Sequence, residues 1–302
     1  MWIPRATAAV CLLATWLGAA EPSAGHRLLI AGCGLGHVSI VEPDGSVRWT
    51  YPEKREASDA WLLPEQRVVF TYKDGVRCVR PDWAARQGGT VEWDWVSPPG
   101  GEAQGCQPLP DGAFLIGVSL KDVSHLIEVT VTSQGVVQER FRLTLRGLGG
   151  PHSTFRQVRK TAAGTYLVTQ QQKGGTALEF AADGTRLRTF PDGRFVAERL
   201  ADGNTLLGCG DNHRVLEVDA TGRTVWEVGQ HDLPGMSLGF VAGLIRLPNG
   251  NTLVTNWGGH GGSTGPAVVE VTQDRRVVWQ LPGGFPDRIS TIQVLDGITL
   301  PP

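Results

Sequence analysis

One phrase recurs along the chain: an apolar strand, a tight turn, an apolar strand, a glycine-rich loop, an alternating strand, a second turn, and a strand ending near Trp. Its clearest copies run from Val241 to Leu281 and from Glu198 to Val228. Weaker copies read "GCQPLPDGAFLIGV" with "HLIEVTVTSQGVVQERF", and "VRKTAAGTYLVTQ" with "ALEFAADGTRLRTF". The first turn falls at Gln66, Gly112, Gly164, Gly203, Gly250 and Gly297, at separations of 46, 52, 39, 47 and 47 residues. Asp-Gly and Asn-Gly punctuate the copies because two-residue hairpins require positive φ angles. A four-stranded unit with a period in the forties predicts a propeller blade, since such a unit buries its apolar faces only against copies of itself.

The ends of the chain complete one another. The segment "RLLIAGCGLGHVSIVEPDGSVRWTY" supplies the second, third and fourth strands of a copy, and Ile289 to Gly297 supplies a first strand and its turn. Pairing the two removes exposed sheet edges. The expected fold is all-β: a six-bladed β-propeller of four-stranded blades over residues 21–302, a single domain closed by its C-terminal strand joining the N-terminal blade. Seven blades is the alternative if the divergent stretch from Ala57 to Pro99 hides more.

The first twenty residues read as a signal peptide. Met-Trp-Ile-Pro-Arg precedes an apolar run from Ala6 to Trp16, and small residues stand just before Glu21. The expectation is a periplasmic or extracellular protein without a membrane span, because the run is too short to cross a bilayer. Charge is balanced, 28 Lys and Arg against 30 Asp and Glu, a formal net of −2. That leaves no electrostatic case for nucleic acid. Beyond the leader, Cys33, Cys78, Cys106 and Cys209 allow three disulfide connectivities. Cys33 and Cys209 share a Gly-Cys-Gly context, which reads instead as equivalent places in different blades. With no Cys-x-x-Cys pair there is no thiolate zinc site; the sequence assigns no metal and no cofactor.

"DATGRTVWEV" (Asp219 to Val228) resembles the Thr-Gly-x-x-x-Trp phrase of PQQ-type quinoprotein propellers, and "RLPNGNTLV" (Arg246 to Val254) resembles the blades of bacterial arylsulfotransferase-like secreted propellers. The resemblance covers the whole chain after the leader and rests on strand and turn motifs. It implies a secreted PQQ-like propeller. In an arylsulfotransferase-like enzyme, a histidine would take the transferred group while arginines held its oxygens.

Loops joining second to third strands, and connections joining one blade to the next, open on the same face over the channel. His37, His125, His213 and His260 fall in the first kind of loop, His152 and His231 in the second. His152, in "GGPHSTFRQVR", precedes an axis-lining strand and is the candidate catalytic residue. His260 and Trp257, in "NWGGHGGSTG", are candidate ligand contacts, with His213 and His231 beside them; the same histidines also read as tolerant loop residues. Trp49, Trp226 and Trp279 recur at one blade position and read as packing.

Counting back from the turn glycines, alternation puts Arg156, Lys160, Arg199 and Arg246 on one strand face. If that face lines the channel, the four cations suit an anion such as a sulfate ester or uronic acid. Otherwise they sit in solvated turns or against Glu198 and other carboxylates. The functional expectation is a secreted propeller binding a small anionic molecule, a glycan or a protein loop on its upper face. The alternative is a propeller enzyme using a channel-mouth histidine.

Overall fold

Second strands of each copy are apolar at nearly every position, and the third strands, although partly alternating, carry apolar residues on both faces. This is the pattern of sheets covered on both faces. A computed structural model of the protein describes residues 24–152, 154–172 and 174–301; the expected leader lies outside the described residues. The chain forms six four-stranded antiparallel sheets. Blade 1 contains β1 (Leu28–Ala31), β2 (His37–Val41) and β3 (Val47–Pro52), and blade 2 contains β4 (Ala60–Leu62), β5 (Val68–Thr71), β6 (Gly75–Pro81) and β7 (Gly89–Val96). Blade 3 comprises β8 (Glu102–Pro108), β9 (Phe114–Ser119), β10 (Val123–Val131) and β11 (Val137–Arg146). Blade 4 follows with β12 (Val158–Lys160), β13 (Tyr166–Thr169), β14 (Ala177–Phe180) and β15 (Arg186–Phe190). Blade 5 holds β16 (Val196–Arg199), β17 (Thr205–Gly208), β18 (Val215–Val218) and β19 (Thr224–Val228). Blade 6 is β20 (Val241–Arg246), β21 (Thr252–Asn256), β22 (Val268–Val271) and β23 (Val277–Gln280), and β24 (Thr291–Val294) returns to complete blade 1. The protein is thus a six-bladed β-propeller.

Strands β5, β9, β13, β14, β17, β18, β21 and β22 are buried along their whole length. Outer strands are more open: β15 exposes three of its five residues and β19 two of five. Trp49 and Trp226 act as clips between blades: their indole N–H groups donate to the carbonyls of Gly88 and Gln273 in the next blade, at 2.9 and 2.8 Å. All four cysteines in the described residues are free thiols.

Each inner strand turns an edge, not a face, toward the axis, so its backbone N–H groups lack ladder partners there. Side chains of the neighbouring inner segments supply them. Gln107 Oε1 accepts from the N–H of Lys160 at 2.6 Å, Gln157 Oε1 from Ala197 at 3.0 Å, and Gln293 Oε1 from Leu62 at 2.6 Å. Asp59 does the same for Cys106 at 3.0 Å.

This geometry corrects the channel placement expected for three cations. Because the sheet faces pack on neighbouring blades, Lys160, Arg199 and Arg246 reach sideways to buried third-strand carboxylates of the preceding blade. Lys160 pairs with Glu128 at 2.5 Å, Arg199 with Glu179 at 2.7 Å and Arg246 with Glu217 at 2.6 Å. The second-face alternative raised by the sequence, contact with carboxylates, describes them.

Closure is antiparallel, with Leu28 opposite Val294, Leu29 opposite Gln293, Ile30 opposite Ile292 and Ala31 opposite Thr291. Deleting the last fourteen residues, from Ile289 to Pro302, removes this strand and leaves β1 an open edge. The truncated protein is expected to unfold at lower temperature and over a broader range than the intact chain in calorimetry. An equally sharp and equally high transition would contradict closure as the stabilising contact.

Candidate ligand site at the channel mouth

Both kinds of loop singled out by the sequence deliver side chains to one recess. The blade-to-blade connections bring Glu56, His152 with Arg156, Phe195 and Ser290. The second-to-third-strand loops bring Cys33, Gln171, Trp257 and His260. His152, Arg156, Trp257 and His260 therefore share the recess. His213 and His231 do not line it: the His213 ring is held by the carbonyl of Gly239 at 2.5 Å, and His231 is exposed beside Ser237 at 3.4 Å.

Carboxylates stand beside both recess histidines, in hydrogen-bond contact with His260 alone. His152, on a left-handed backbone (φ 65°), lies with Nδ1 3.6 Å from Glu56 and 3.7 Å from Glu102. His260 Nδ1 lies 2.8 Å from Asp211, and its ring stands edge-on to Trp257 and Phe240 at 5.0 and 5.1 Å. The Trp257 indole N–H donates to the carbonyl of Cys33 at 3.1 Å. Gly259 lies against that indole so closely that a Cβ there would fall 1.8 Å from the ring, which explains one glycine of the "NWGGHGG" run.

Arg156 is almost wholly buried and already engaged, donating to Glu56 at 2.7 Å and to the His152 carbonyl at 2.8 Å. Burial pushes the Glu56 carboxyl upward, but Arg156, His152 and the Cys33 thiol together outweigh it and hold the group below its ordinary value. Burial, reinforced by Glu56, pushes the Cys33 thiol up to about 11, so it stays protonated at neutral pH and is a poor nucleophile.

Below the recess lies a channel cavity of about 250 Å³, and Arg156, Phe195 and Ser290 line both spaces. Its wall carries Trp61, Gln157, Arg159, Glu198 and Gln293. Arg159, from blade 4, crosses to Asp59 at 2.6 Å with its guanidinium 4.9 Å from the Trp61 ring centre. Burial raises the Glu198 carboxyl, and Arg159 and Arg246 offset this only in part.

A carboxyl whose pKa is raised by folding costs stability when ionised. The cost is full above the folded value and vanishes below the unfolded value of about 4.3. Glu198→Gln is therefore expected to raise the melting temperature at about pH 7, with the gain disappearing at about pH 4. A loss of stability at neutral pH, measured by thermal unfolding, would contradict this reading.

Sequence reasoning did not find Glu56, Glu102, Gln171 or Ser290. Glu56 had a usable signal: it occupies the connection before β4 as His152 occupies the connection before β12.

No protein-family profile matches the sequence, and none of the curated proteins does. Among solved structures, a protein of unknown function from Bacteroides caccae is 28% identical with a TM-score of 0.76, covering 89% of this chain and 98% of its own. Virginiamycin B lyase from Staphylococcus aureus, solved as an inactive histidine-to-alanine variant with quinupristin, is 12% identical with a TM-score of 0.55, covering 88% and 87%. Regucalcin from Agrobacterium tumefaciens, a calcium-binding protein, is 14% identical with a TM-score of 0.52, covering 78% and 86%. The two latter likenesses show the propeller fold alone.

Proposed function

We propose that this protein is an extracytoplasmic propeller that binds a small glycan over its channel mouth, where the recess lined by His152 and His260, about 30 Å³, admits a single hydroxyl group. The observation carrying this reading is the convergence of His152, from the entrance of blade 4, with His260 and Trp257, from blade 6, on one recess open to the channel, each histidine with a carboxylate beside it. The engagement of Arg156 favours a neutral polar ligand over a sulfate ester. Each terminal nitrogen of its guanidinium makes one bond, to Glu56 and to the His152 carbonyl, and the Glu56 carboxylate balances its charge, which leaves the grip on an anion weak. Hydroxyl groups suit the site better, since an imidazole both donates to and accepts from them and a carboxylate accepts from them.

A second reading, an enzyme acting on such a ligand, is favoured by the 2.8 Å contact between His260 and Asp211. A carboxylate fixing one ring nitrogen leaves the other to take or give a proton, the arrangement general acid–base catalysis uses.

Neutral oligosaccharides screened by calorimetry are expected to include a ligand whose affinity falls at least about tenfold in His260→Ala and in Trp257→Ala, a loss on the order of 1.4 kcal/mol. His231→Ala should bind as the parent does. Unchanged binding in both recess variants would remove the site, and Asp211→Asn losing turnover while keeping affinity would select the enzyme.

A further inference from the structure

We propose that Glu56, Glu102 and His152 form a binding site for one divalent transition-metal ion, of the Mn2+ or Zn2+ class, at the channel mouth. It deepens the reading of the mouth as a ligand site, and its test uses no organic ligand, so the two fail separately.

Three successive blade entrances supply the donors: Glu56 precedes β4, Glu102 opens β8 and His152 precedes β12. One donor atom from each residue lies within 4.8 Å of the other two. The His152 Nδ1 distances of 3.6 and 3.7 Å are too long for hydrogen bonds. They do fit atoms around a shared ion: ligands about 2.0 to 2.2 Å from a metal stand about 3 to 3.5 Å apart. The edge between the two carboxylates, within 4.8 Å, has to close by no more than about 1.3 Å to reach about 3.5 Å, a rotamer-scale adjustment.

Both carboxylates are also held from behind, as metal ligands are. Arg156 holds the Glu56 oxygen that faces away from His152, at 2.7 Å, and fixes the His152 carbonyl at 2.8 Å. Lys73 stands 3.4 Å from the Glu102 oxygen that faces away from His152, and the Gln104 amide donates at 3.2 Å to the oxygen nearer His152. Against the effect of burial, the Glu56 carboxyl is held below its ordinary value, chiefly by Arg156. Two carboxylates with one imidazole suit Mn2+ or Zn2+, whereas Ca2+ prefers a larger, all-oxygen set. His152 is 59% exposed in its side chain, which leaves an entry path and open coordination positions. Those positions face the recess, where an ion would draw hydroxyl oxygens of a ligand.

The test is titration of the EDTA-treated, dialysed protein with Mn2+ followed by electron paramagnetic resonance, and with Zn2+ followed by calorimetry. One ion per chain is expected, with affinity at least about tenfold weaker in His152→Ala and in Glu102→Gln, the effect of losing one ligand of three. His260→Ala, inside the recess but outside the donor set, should bind the ion as the parent does. Glu56→Gln removes a partner of buried Arg156, so its melting temperature is measured first; His152→Ala and Glu102→Gln decide the matter if it unfolds. No binding by the parent, or equal affinity in both deciding variants, would overturn the proposal.

Discussion

Six strand edges facing a common axis are the constraint from which the rest of the structure follows. An edge strand leaves a row of N–H and C=O groups without partners, and a ring of blades multiplies the problem by the number of blades. Part of the answer is lateral: Gln107, Gln157, Gln293 and Asp59 reach to the neighbouring inner strand and satisfy an N–H there. The rest is topological. Because β24 pairs with β1, blade 1 is built from both ends of the chain and the ring has no first or last sheet.

That closure also builds the mouth. The strand that seals the ring follows a segment carrying Arg288 and Ser290, and the loop after β1 carries Cys33; the two sit so close that a Cβ on Gly32 would fall 1.8 Å from the Arg288 carbonyl. Trp257 donates to the Cys33 carbonyl across the same junction, from blade 6 to blade 1. On the other side, Arg156 ties blade 4 to the connection entering blade 2 through Glu56. The recess is therefore a product of contacts between blades, each holding a side chain that another blade positions.

Strand and turn chemistry is local, so the blades were legible from the repeat alone, and the closing strand from the half-phrases at the two ends. The convergence of His152, Arg156, Trp257 and His260 was legible from loop type, since two kinds of connection open on one face. The fate of Lys160, Arg199 and Arg246 was not, because alternation was applied as if a sheet face lined the channel, when an edge does. The signal that would have corrected it stands in the third strands. Glu128, Glu179, Glu217 and Glu270 recur at one position, and three of them receive the basic residue that ends the next inner strand. Glu270 meets His26 in blade 1, at 3.1 Å. Glu56 offered less, lying beside the stretch where the repeat is weakest and owing its place to convergence in space.

The central claim is that the recess between His152 and His260 is where this propeller meets its ligand. Crystals soaked with small neutral sugars, solved at high enough resolution to see ring hydroxyls, test it most directly. The account predicts sugar density over the mouth, with a hydroxyl group between the two imidazoles, within about 3 Å of their free nitrogens. Sugars seated only on the blade rims or on the opposite face, with the recess holding water alone, would contradict it.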